Sequence, residues 1–100
     1  MTAFSEEAIQ QVWDEKGRVI PGQDPSVWRK DECGAWMKRD RYGHRDSEFG
    51  WELARISPGA PADASNLRAL QWQNHLAGGT SHLICSVTAD QDGIKNKRVR

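Results

Sequence analysis

Gly50-Trp51-Glu52-Leu53-Ala54-Arg55-Ile56, followed after a proline-rich break by Asn66-Leu67-Arg68-Ala69-Leu70-Gln71-Trp72-Gln73-Asn74, decides the fold. From Phe49 to Ile56, Phe49, Trp51 and Leu53 point one way while Gly50, Glu52 and Ala54 point the other. That is the two-residue period of a half-buried strand. Ser57-Pro58-Gly59-Ala60-Pro61 ends it, because proline cannot continue a ladder. Leu67, Leu70 and Trp72 then lead from extended chain into a helix expected from about Leu70 to Ala77, stopping at Gly78-Gly79. Upstream, Cys33 to Asp40 also has strand character, and the polar stretch Arg41 to Glu48 around Gly43 connects it to Phe49. Two strands across a polar loop predict an antiparallel hairpin, and hairpin plus helix makes a ββα unit.

Around this centre the signals are local. Ser5 is a good N-cap, Glu6 and Glu7 suit a first turn, and Ala8, Ile9, Val12 and Trp13 form an apolar stripe, so residues 5–16 read as a helix. Pro21-Gly22 and Asp24-Pro25 make residues 17–26 a connector, with one short helical turn expected to carry Val27 and Trp28. His82 to Val87 has strand character, and Asp92-Gly93 is a turn signal. The segments are therefore 1–17 for the N-terminal helix of the same domain, 18–79 for the ββα region, 80–93 for a C-terminal strand and turn, and 94–100 for a basic flexible tail. The expected fold class is α+β, a single small domain.

One hundred residues suffice for one modest core. No apolar run approaches the roughly 18 residues of a membrane span, and the N-terminus lacks a secretory pattern, so a cytoplasmic protein with no membrane partner is expected. Cys33 and Cys85 lack metal-site spacing, and isolated buried thiols are favoured over a disulfide in a reducing compartment, with both left open. The net charge of zero weakens any expectation of strong nonspecific DNA affinity. The five tryptophans are read first as core residues.

Trp28-Arg29-Lys30-Asp31, Cys33-Gly34-Ala35-Trp36, Tyr42-Gly43, Phe49-Gly50-Trp51-Glu52, Asn66-Leu67 and Leu70-Gln71-Trp72-Gln73-Asn74 together resemble a small bacterial group of HNH endonuclease-like proteins. The resemblance spans roughly residues 18–79 and implies a ββα-metal core. It also implies a divalent ion, a histidine that activates water against a phosphodiester, a middle asparagine that steadies it, and a ligand on the helix. Carried over, Asn66 matches the middle asparagine and Asn74 the helix ligand. Ala54 stands where the strand carboxylate belongs, and Arg55 stands in place of the base.

Those two positions lack the chemistry. A methyl group offers no oxygen to a hard cation, and a guanidinium does not accept a proton near neutral pH. Loss of a general base costs about 10² to 10⁴ in rate, so a pseudo-nuclease without catalytic residues or cofactor is expected. Its expected role is to bind nucleic acid, DNA or RNA, or else a protein partner, through a basic hairpin face of Lys38, Arg39, Arg41, Arg45 and Arg55. The first alternative is an active metal-dependent endonuclease with ligands displaced to His44, Asp46 and His75. The other is a structural or protein-interaction role with no nucleic acid. Interspersed acids make a locally paired, mixed-charge face the competing reading of the basic cluster, and an ion pair with Glu52 or Glu48 the competing reading of Arg55.

Overall fold

A computed structural model describes residues 4–57, 59–78 and 83–99. Helix α1 (Glu6–Lys16) begins where Ser5 Oγ accepts the Ala8 N–H at 3.0 Å, with Glu6 and Glu7 in its first turn and Lys16 in its last. It ends at Gly17, whose N–H donates to the Trp13 carbonyl. A side chain at Gly17 would meet that oxygen at 2.7 Å and Arg29 Cδ at 2.8 Å, so only glycine lets Arg29 lie against the helix end. There Arg29 Nη1 donates to the carbonyls of Trp13, Asp14 and Gly17, at the end where a helix runs out of its own donors.

Strands β1 (Trp28–Lys30) and β2 (Trp36–Lys38) form one short antiparallel pair, and β3 (Trp51–Arg55) and β4 (Leu67–Gln71) form another. Helix α2 (Trp72–Gly78) follows β4 directly, and β5 (Val87–Ala89) pairs with β6 (Asn96–Arg98). The domain is thus α+β, and it contains a ββα unit composed of β3, β4 and α2. Ile9, Val12 and Trp13 of α1 pack on Met37, Trp51, Leu53, Leu67 and Ala69, with Trp13 and Trp51 ring centroids 5.0 Å apart. Among the described residues no helix is long and apolar enough to cross a membrane.

Several sequence expectations are corrected here. The partner of Phe49–Ile56 is not 33–40 but β4, which opposes Trp51 with Gln71 and Arg55 with Leu67. The chain leaves β2 in a 3₁₀ turn at Arg39–Arg41, so β2 runs only three residues and pairs with β1. Trp28 is strand rather than helix; the Asp24 carbonyl closes a turn by accepting the Val27 and Trp28 N–H groups just before it. Leu70 and Gln71 belong to β4, and α2 starts two residues later than expected; Gly79 lies outside the described residues.

The C-terminal strand falls at Val87–Ala89 instead of 82–87, of which His82 lies outside the described residues. Within the segment read as a flexible tail, residues 96–98 form β6, and Arg100 lies outside the described residues. Asn96 fixes that strand by accepting the Trp36 N–H at 2.7 Å and donating to the carbonyls of Trp36 and Glu48. Cys33 and Cys85 are joined in a disulfide with Cα atoms 5.4 Å apart, which overturns the expectation of isolated thiols. The bond ties the β1–β2 turn to the segment entering β5.

Candidate functional site

β3 sorts its side chains by face: Trp51 and Leu53 enter the core, while Glu52 and Ala54 face the side on which α2 lies. Glu52 is the only carboxylate on β3, and it is fully engaged. Arg45, from the loop before the strand, forks onto it at 2.6 Å and 2.9 Å, and His75 Nδ1 of α2 contacts Oε1 at 2.7 Å. Burial opposes ionisation of Glu52 more than any other single influence. The hydrogen bonds and charges of Arg45 and His75 together outweigh it and hold the carboxyl below its usual range. The loop carrying Arg45 returns tightly, since any side chain at Gly50 would collide with the His44 carbonyl.

Ala54 is buried beside this cluster and contributes no ligand atom. Arg55 is exposed at the end of β3, where it is not without a partner. Asn66 and Asn74, the two matched asparagines, lie at opposite ends of β4 and do not converge. Asn66 Oδ1 accepts the Ser57 N–H at 2.9 Å, and Nδ2 donates to the carbonyls of Ser57, Ala60 and Pro61. That side chain closes the connection between β3 and β4. Asn74 is fully buried: Nδ2 donates to Asp31 Oδ2 and the Val87 carbonyl, and Oδ1 accepts the N–H groups of Ser86 and Val87.

Asp31, 1% exposed, completes this second network. Its Oδ1 accepts the N–H groups of Cys33 and Ala35, and its Oδ2 accepts those of Gln71 and the Asn74 amide. Desolvation raises its carboxyl above the usual range, and the four hydrogen bonds only partly counter that.

No family model, curated protein or solved structure matches this chain.

The chemistry must therefore be read from the geometry. Asn74 uses both N–H donors and both carbonyl lone pairs, and Asn66 uses both donors and one lone pair, so little capacity is left for a metal or a phosphate. They are architectural, which corrects the expectation that they line the old catalytic centre. The displaced trio does not assemble either, because His75 bonds to Glu52 while His44 faces Asp46 at 3.6 Å on exposed chain. Among the described residues no three His, Cys, Asp or Glu side chains are grouped to hold a metal ion.

The expected basic face is largely neutralised in place. Arg39 reaches Glu6 and Gln10 and lies over Trp51, Arg41 pairs with Asp40, and Arg45 pairs with Glu52. Lys38 differs, since its ammonium lies 5.7 Å from the Trp28 ring centroid and among the described residues it has no carboxylate partner. Sequence reasoning missed Asp31 as a hub and the contact between Glu52 and His75. The second was legible in part, because Glu52 and Ala54 share a face and His75 lies about 100° around a helix from Asn74.

Proposed function

We propose that this chain is a binding module on a ββα frame without hydrolytic groups, and that its ligand is nucleic acid. The observation that carries the first half is the α2-side face of β3. It holds the buried methyl of Ala54, and its one carboxylate, Glu52, is closed by Arg45 and His75. Neither a hard-cation ligand set nor an unoccupied base is left where the resemblance would require them. The nucleic-acid half rests on the resemblance and on the cations of the β1–β2 hairpin, Lys38 among them.

The test combines fluorescence anisotropy on labelled duplex and single-stranded oligonucleotides with a plasmid-nicking assay in Mg²⁺, Mn²⁺, Ni²⁺ or Zn²⁺. Binding without scission is expected, with log affinity falling against log salt at a slope of roughly −2 to −5. Absence of binding at low ionic strength refutes the nucleic-acid reading in favour of a protein partner.

One observation favours a second reading, an active endonuclease with moved ligands. His75 is held at Nδ1 by a carboxylate, the arrangement that orients an imidazole for proton transfer. Metal-dependent nicking abolished by His75→Ala would establish that reading and end the first.

A further inference from the structure

The β1–β2 hairpin has two unlike faces. Met37 points into the core and Arg29 onto α1, while Trp28, Lys30, Trp36 and Lys38 share the outer face. The register opposes Trp28 to Lys38 and Lys30 to Trp36, so rings and ammonium groups alternate like a checkerboard. Trp28 stands edge-on to Trp36 at 5.9 Å and to Phe49 at 4.9 Å, forming an aromatic cluster separate from the main core. Lys30 Nζ caps the Trp36 ring at 4.7 Å, and Lys38 Nζ lies over Trp28 at 5.7 Å. Arg18 bridges to Lys30 in antiparallel fashion and adds a third cation beside the strand.

Two features set this face apart. The arginines at 29, 39, 41, 45 and 68 each meet a carboxylate, whereas among the described residues Arg18, Lys30 and Lys38 do not. They share that state with Lys16 and the C-terminal Lys95, Lys97 and Arg98, but here Lys30 and Lys38 combine it with aromatic rings. In addition, Trp36 is 6% exposed, and its indole Nε1 is a buried donor with no acceptor. Few native interiors leave such a group unmade.

We propose that this face is a stacking platform for single-stranded nucleic acid. Unpaired bases lie on Trp28 and Phe49, and Arg18, Lys30 and Lys38 follow the phosphates. The proposal deepens the nucleic-acid reading and rests on it. An exposed cation–π contact is weaker than a base stacked on an indole, so exchanging a lysine cap for a base is favourable, and the displaced ammonium stays beside the backbone. As Lys30 leaves the Trp36 ring, a base carbonyl or phosphate oxygen supplies the acceptor that Nε1 lacks. A duplex keeps its bases paired and cannot use the rings, which is why the commitment is to single strands.

The experiment titrates full-length protein with oligo-dT, oligo-U and a duplex of equal length, following tryptophan fluorescence and anisotropy across salt. Single strands are expected to bind at least about tenfold more tightly than duplex and to quench emission, with Trp28→Ala costing about tenfold. Comparison of the dT and U arms separates DNA from RNA as the source. Because Trp28→Ala also removes packing, Lys30→Gln with Lys38→Gln gives the second readout, a salt slope flatter by about 1.4 for two lost phosphate contacts. Equal or tighter duplex binding, or an unchanged slope in the folded double variant, overturns the platform while leaving nucleic-acid binding intact. No binding to any of the three overturns both.

Discussion

Replacing Asp31 by asparagine isolates one buried carboxylate without changing its size. In the native protein each oxygen accepts two N–H groups: Cys33 and Ala35 on Oδ1, Gln71 and the Asn74 amide on Oδ2. An asparagine must present an NH₂ at one of these positions, so two donors lose their acceptor whichever way the amide turns. Each buried donor left unmade costs about 1–3 kcal/mol, or about 2–6 kcal/mol for the pair. The neutral side chain no longer carries charge into the interior, which returns part of that cost. The expected net loss is about 2–4 kcal/mol, a large share of the 5–15 kcal/mol typical of a domain, and a fall in Tm of at least about 10 °C.

Urea unfolding followed by tryptophan emission measures the loss, and pH supplies an independent check on sign. Desolvation raises the native Asp31 carboxyl, so the native state holds that proton more tightly than the unfolded chain. Its contribution is therefore fully present below the unfolded carboxyl range and is lost as pH rises through the native value. The gap between wild type and Asp31→Asn should narrow over that interval. A loss under about 0.5 kcal/mol, or a gap that widens as pH rises, would refute the account of Asp31 as an acceptor hub.

Three further outcomes are expected. Asn66→Ala should cost about 1–3 kcal/mol and speed amide exchange at Ser57, because that side chain accepts the Ser57 N–H and donates to the carbonyls of Ser57, Ala60 and Pro61; unchanged exchange would contradict it. Reduction of the Cys33–Cys85 bond, whose partners are 52 residues apart, should lower stability by about 4 kcal/mol in calorimetry with and without reductant, and an unchanged transition would count against the bond. Glu52 has the opposite pH sign to Asp31: its stabilisation is present above the unfolded glutamate range and lost as pH falls through the lowered native value. Glu52→Gln should abolish that part of the acid limb.

What the sequence discloses divides by range. Local signals place α1 correctly, since Ser5, the two glutamates and Gly17 act within one or two turns. The alternation around Trp51 also holds, because a two-residue period is a property of one strand. Strand partners are less legible. Cys33–Asp40 and Leu67–Gln71 are both plausible mates for Trp51–Arg55, and local pattern cannot weigh an 11-residue excursion from 56 to 66 that Asn66 folds back on itself. The C-terminal segment shows the same limit. Lys95, Lys97 and Arg98 give it a solvated composition, yet Asn96 among them bonds the backbone of Trp36 sixty positions away.

The site posed a sharper difficulty, and its resolution is a matter of hydrogen-bond capacity. A motif position tells which side chain stands somewhere, not whether its donors and acceptors are already used. Asn66 and Asn74 sit where the resemblance implies the residue that steadies the base and the helix ligand, and their amides are instead taken up by loop backbone and, for Asn74, by Asp31. The same criterion sorts the cations. Arg39, Arg41 and Arg45 stand in the densest basic stretch of the sequence but meet Glu6, Asp40 and Glu52, whereas Lys30 and Lys38 lie over rings and meet no carboxylate among the described residues. A cation resting on an aromatic face can leave at small cost, and one forked onto a half-buried carboxylate leaves a charge behind it. Recognition should therefore fall on the lysines and tryptophans of the first hairpin rather than on the arginines that follow it.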